Sequence, residues 1–194
     1  MNKNLPTRSL REHPDLDQLK RQAKELLQAF SAGEIKSVAE VNAHYRDADP
    51  ANFALHEAQL VLARAHGFDS WPKLKAHVDG VTVKRLVDAV CAGDLVQTRA
   101  MLKIRPELAH MSTSNLQVLH HAVLARSPEM VRVLMQHGAN AREGVYPHRE
   151  ATTALAIATE RGYDEIVSII KEEEQQQREA KAGRNAVPEP DELF

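Results

Sequence analysis

The sequence predicts an all-α fold: a helical-repeat solenoid with a helical cap region on its N-terminal side. Three observations carry this. One skeleton occurs three times, as "KRLVDAVCAGDLVQTRAML" from Lys84, "LQVLHHAVLARSPEMVRVLMQHGANA" from Leu116 and "TALAIATERGYDEIVSII" from Thr153. Leu86, Leu119 and Leu155 coincide, as do Ala89, Ala122 and Ala158, and Met101, Leu134 and Ile170, at spacings of 33 and then 36 residues. Within each unit the apolar residues fall at helical spacing twice, with a break between. A helix pair this short cannot bury its own apolar face, so stacked neighbours have to complete the core.

The elements follow in chain order. Residues 1–13 read as an extended arm and 14–80 as the helical cap region. Leu16, Leu19, Ala23, Leu26, Leu27 and Phe30 make an amphipathic helix that starts near Pro14-Asp15 and stops at Gly33. Ile35, Val38 and Val41 make a second. Leu26, Ala29, Ala32 and Gly33 align with Leu86, Ala89, Ala92 and Gly93, so this pair reads as a worn helical hairpin. A third helix carries Leu55, Ala58, Leu62 and Ala63 and breaks at Gly67. Ser70 can cap a fourth, whose first turn admits Pro72, with Phe68, Trp71, Leu74 and Val78 packing back. Residues 81–182 hold the three repeats, ending in one long capping helix from Asp164 to about Ala182. Its stretch "KEEEQQQREAKAG" has good helix formers and no apolar stripe, and the run Glu172-Glu173-Glu174 reads as a solvated face. Residues 183–194 read as linker or tail.

Residues at these positions resemble the ankyrin repeat, whose consensus contains T-P-L-H-x-A, then a second helix closed by G-A. The middle unit matches with Leu119, His120, Ala122, Glu129, Val131, Leu134, Gly138 and Ala139. The third keeps Thr153, Leu155, Ala158, Gly162, Glu165, Ile166 and Val167, and the first keeps Leu86, Ala89 and Gly93. Gln97 and Thr98 stand where the family prefers aliphatics, and Arg126 replaces a glycine after the first helix of its unit. Pro128 suits the first turn of the next helix, where its missing N–H is not needed. The resemblance implies a stack of helix pairs with hairpin-like loops projecting from one edge, and His120 bonded to the backbone of an adjoining loop. The string "ARAHGFDSWPKLKAHV" resembles a small helical segment found ahead of ankyrin repeats in bacterial proteins.

Composition narrows the function classes. Apolar residues make up 43 % of the 194, enough for a core, and a formal charge of -2 leaves no basic footprint for nucleic acid. The single cysteine, Cys91, excludes a disulfide framework within the chain and reads as a small half-buried residue. "MNKNLPTRSLREHPDL" lacks the apolar run of a secretory signal, and no 18 consecutive residues are apolar, so a soluble cytoplasmic protein without a membrane partner is the expectation. The ten histidines show no metal-ligand spacing: His56-Glu57 lacks a histidine four residues after His56, and the adjacent His120 and His121 point apart on a helix. No phosphate loop, nucleophile elbow or carboxylate pair appears, so neither catalysis nor a cofactor or metal is expected. The separation of Ala63 and Gly67 fits a helix-turn-helix turn, but Lys73 stands where an apolar residue should lock its second helix.

One stretch rises above this background. "AREGVYPHREAT", Ala141 to Thr152, holds the three residues by which the second spacing exceeds the first, and it concentrates Arg142, Tyr146, Pro147, His148 and Arg149. Tyrosine and arginine are typical interface anchors. The resemblance implies a projecting loop here, and a binding surface built from Arg142, Tyr146, His148, Arg149, Thr152, Thr113, Ser114 and Leu116 with the helix-end residues Leu124, Ala125, Glu160 and Arg161. The expected function is non-catalytic protein–protein interaction, as an adaptor or scaffold, with a protein partner. Two alternatives stand beside it: a regulatory or targeting part of a larger multidomain enzyme or sensor cut after Phe194, and weak nucleic-acid binding through residues 50–80.

Overall fold

The computed structural model describes residues 7–113, 116–144, 146 and 150–185. Among these residues it has nine α-helices and almost no strand. The chain divides into two compact units, Met1–Thr82 and Val83–Phe194.

In the first unit, α1 (Leu16–Ser31) starts where the Asp15 carboxylate accepts from the backbone N–H groups of Asp17 and Gln18, at 2.8 and 3.3 Å. These are donors that a helix N-terminus leaves free. Its buried residues Leu16, Leu19, Ala23, Leu26 and Phe30 recur every three or four positions and so share one face. The first three pack with Leu62, Ala63, Leu74 and Val78. Leu26 and Phe30 pack instead with Val41, Phe53, Ala58 and Val61, drawn from α2 (Ile35–His44), the loop after it and α3 (Leu55–Ala65). The Phe30 and Phe53 rings lie 4.6 Å apart, centroid to centroid. Tyr45 donates its hydroxyl to Glu57 at 2.6 Å, and the same carboxylate accepts from the Ala54 N–H at the start of α3. The helix α4 (Trp71–Cys91) contains the boundary between the units.

The second unit is a stack of helix pairs. After α4 come α5 (Leu95–Ile104), a 3-10 turn at Pro106–His110, and a minimal antiparallel hairpin of β1 (Ser112–Thr113) and β2 (Leu116–Gln117). Next are α6 (Val118–Leu124) and α7 (Pro128–Gln136), then α8 (Ala154–Glu160) and α9 (Asp164–Asn185). Of the nine aligned positions, Leu86, Leu119, Ala122, Ala158, Leu134 and Ile170 lie in one core cluster, Met101 and Leu155 are partly buried against it, and Ala89 is buried without joining it.

The turns show why the skeleton repeats. After α4, the N–H groups of Ala92, Gly93 and Asp94 donate to Asp88, Val90 and Ala89. After α6, those of Ala125, Arg126 and Ser127 donate to His121, Val123 and Ala122, and after α8 those of Arg161, Gly162 and Tyr163 donate to Ile157, Thr159 and Ala158. These bonds satisfy the last helix carbonyls by backbone alone, with the middle residue in the left-handed region. Gly93 and Gly162 have φ of 72° and 67°, and Arg126 adopts 54° in the same seat. The turn after α1 repeats the pattern: Ala32, Gly33 and Glu34 donate to Gln28, Phe30 and Ala29, and Gly33 has φ of 72°.

Two sequence expectations are corrected here. The acidic run of α9 is not simply a solvated face. Glu173 is only 2 % exposed and accepts from Arg132 at 3.1 Å and Gln136 at 3.2 Å, both on α7 or at its end. Glu172 takes a second bond from Arg132, and Gln177 donates to the Met135 carbonyl. The apolar stripe of Ile166, Ile169 and Ile170 thus continues as a polar one against the same neighbour. Cys91, expected to be half-buried, is exposed.

Thr98 of α5 is fully buried, and its hydroxyl has no partner among the described residues. An unsatisfied buried hydroxyl costs stability, and valine has the same shape without it. Thr98→Val is therefore expected to stabilise the protein by about 1 kcal/mol. That corresponds to a rise in Tm of roughly 2–4 °C for a chain of this size. A fall in Tm would show that the hydroxyl is satisfied.

Candidate protein-binding surface

The candidate surface is built on the connections that precede α6 and α8 and on the ends of those helices. In the first connection, Ser112 pairs with Gln117 and Thr113 with Leu116 across the hairpin. Thr113 and Leu116 are half-buried. The Thr113 hydroxyl lies 3.3 Å from His121 Nε2 of α6, which holds the hairpin over the helix start. Burial pushes the His121 imidazole below its ordinary pKa, and the neighbouring His120 pushes the same way. At pH 7 its uncharged ring is favoured in that contact.

His120 points the other way, as adjacency on a helix requires. It is fully buried, and its Nε2 lies 2.9 Å from the Thr152 carbonyl. A carbonyl only accepts, so Nε2 carries the proton. The family resemblance implies such a bond, and it anchors the end of the second connection.

That connection is fastened at both ends. Gly144 bridges Thr153 in antiparallel fashion, and the Leu155 N–H donates to Ala141. The Thr153 hydroxyl caps α8 by accepting from the Ala156 N–H at 3.1 Å. Tyr146 donates its backbone N–H to the Thr152 hydroxyl at 3.3 Å, and its side chain is 52 % exposed. Among the described residues Ile35, Val96 and Ile104 are large apolar side chains that are more open to solvent still. Thr152 is half-buried at the end of a 3-10 turn, Glu150–Thr152.

Arg142 stands apart from this group. Its guanidinium forks onto Glu174 of α9 with two bonds of 2.8 Å, and this carboxylate raises its pKa further. Glu174 also lies 3.7 Å from Arg178. At the helix ends, Leu124 is half-buried, whereas Ala125, Glu160 and Arg161 are exposed. Ser114, His148 and Arg149 lie outside the described residues.

Sequence reasoning missed two participants. His121 supports the hairpin, and its place about 100° round the helix from His120 was the available signal. Tyr163 receives the Arg126 guanidinium over its ring at 4.8 Å, a pairing that only the alignment of consecutive turns could have suggested. Among the described residues, no helix is long and apolar enough to cross a membrane.

Stacked helix pairs closed by identical turns, with hairpin-like connections between them, define an ankyrin-type repeat. The family model described as "Ankyrin repeats (3 copies)" matches residues 83–181, just over half of the 194. The chain belongs to the ankyrin-repeat family, whose repeats serve as protein–protein interaction modules. Neither a curated protein nor a solved structure matches it.

Proposed function

We propose that this ankyrin-repeat chain is a non-catalytic adaptor or scaffold that grips a protein partner with the connection Ala141–Thr152 and its neighbours. The observation that supports this most is the exposed Tyr146 on a connection fastened at both ends. Tyr146, held by its backbone bond to Thr152, loses less freedom on binding, so an aromatic anchor there contributes more of its contact energy to affinity. Thr113, Leu116, Leu124, Ala125, Glu160 and Arg161 extend the surface along the helix ends, with Ser114, His148, Arg149 and Thr152 completing it. Arg142 contributes with its outer edge, since Glu174 holds one side of its guanidinium.

The test is a paired measurement on the variant with Tyr146→Ala and Arg149→Ala. Partner affinity is expected to fall by roughly thirtyfold or more, the loss of about 2 kcal/mol that truncating a true anchor brings. The melting temperature is expected to stay within a degree or two, because the Tyr146 side chain is exposed and its backbone bond to Thr152 survives the substitution. Unchanged affinity with a lowered melting temperature would instead make the connection a structural clasp.

A further inference from the structure

Ahead of α1, the short segment Thr7–Arg8 is pinned to α2 and α3 by polar bonds. The backbone N–H groups of Thr7 and Arg8 both donate to the Ala65 carbonyl, at 2.9 Å each. The Arg8 guanidinium forks onto the Glu40 carboxylate of α2, at 2.6 and 2.7 Å. The Thr7 hydroxyl lies 3.0 Å from Nε2 of His44, the last residue of α2. Two imidazoles therefore sit under or beside the segment. His44 is only 6 % exposed, and its Nδ1 has no partner among the described residues. His66 follows Ala65, has both ring nitrogens shielded from solvent, and lines a small cleft with Ser9, Leu10 and Arg11.

We propose that Thr7–Arg8 is an acid-released strap, held closed over the ends of α2 and α3 while His44 and His66 are neutral and opened when they take up protons. The charged groups facing these rings set the direction. His44 is faced by Glu40 from its own helix, Arg64 from α3 and Arg8 from the strap. His66 is faced by Arg8 and Glu40. Burial is the largest influence on both and disfavours the imidazolium; the guanidinium groups act in the same sense, while the Arg8 backbone, which bonds the His66 ring, and Glu40 oppose them without reversing the direction. In the imidazolium both ring nitrogens of His44 carry a proton, and the N–H on Nδ1 meets no acceptor among the described residues, beside Arg8 and Arg64. Arg64 cannot withdraw without cost, because it donates to the His44 carbonyl at 2.6 Å. Lifting the strap gives both rings access to water and takes Arg8 away from them.

The sign follows from proton linkage. Both rings are held below the ordinary 6.5 in the closed state and relax towards it when open, so the open state binds more protons. Closure is then complete above about pH 6.5 and weakens as pH falls. Each proton taken up changes the open-to-closed ratio by at most about tenfold per pH unit, so two give at most about a hundredfold.

The test uses the full chain between about pH 7.5 and about pH 5, the range in which histidine titrates. The Thr7 and Arg8 amide resonances report the strap, the imidazole carbons of His44 and His66 report protonation, and circular dichroism reports the helices. The two amides are expected to move to unstructured positions with a midpoint below 6.5 while helicity holds. In the variant with His44→Gln and His66→Gln the movement should vanish, and Arg8→Ala should open the strap already at neutral pH. The proposal is overturned if the amides keep closed positions after both rings have titrated. It is equally overturned if the double variant shows the same transition, or if strap and helices are lost together. Should the double variant not fold, the wild-type titration and Arg8→Ala decide alone.

Discussion

Phe30→Ala is expected to destabilise the first unit by about 3–5 kcal/mol, the range for removing a buried phenylalanine. The ring is 1 % exposed and tilts against Phe53 at 4.6 Å, in a cluster whose other members, Leu26, Val41, Ala58 and Val61, come from three helices. Those helices are short and cannot all close on the vacated space, so a cavity adds its own penalty to the lost apolar burial. The only tryptophan, Trp71, packs on the neighbouring cluster of the same unit, so its fluorescence during urea unfolding reads the effect. A loss below about 1 kcal/mol would mean that the site collapses around alanine.

Leu119→Ala is expected to cost about 2–5 kcal/mol in the second unit. Leu119 is fully buried on α6, and its aligned partner Leu86 is equally buried, whereas Leu155 on α8 is only half-buried. The same truncation should therefore cost less at Leu155 than at Leu119. Circular dichroism of the two variants in urea gives the comparison. Equal losses would mean that the exposed edge of α8 is covered in solution, and a loss below about 1 kcal/mol at Leu119 would show that its surroundings relax.

The buried skeleton was legible because it is periodic and local. Leu86 and Leu119, Ala122 and Ala158, and Leu134 and Ile170 each announce a helix face through neighbours three or four residues away. The correspondence of Gly33 with Gly93 was legible for the same reason, and both carry φ of 72°. Polar pairing across repeats was not. Glu173 finds Arg132 and Gln136 at separations of 41 and 37 residues, and a carboxylate in a run of three gives no local sign that one of them is buried. The bond between Thr7 and His44 spans 37 residues and leaves no periodic trace either. For the candidate surface, the family resemblance implied the bond from His120 to the loop carbonyl. Arg142 looked like a free anchor because the register that brings Glu174 to it depends on how α9 packs, not on its composition.

The left-handed seat at Arg126 has a mechanical consequence. A non-glycine residue there carries backbone strain of roughly 1–2 kcal/mol, whereas Gly93 and Gly162 hold the same conformation freely. In return, the arginine has a side chain that reaches the next turn and rests on Tyr163, 4.8 Å from the ring centre. Successive turns of the second and third repeats are thus coupled through a side chain, while Gly93 has none to extend towards Arg126. The glycine seats close their turns without reaching beyond them, whereas the Arg126 seat exchanges backbone ease for a contact with the following turn.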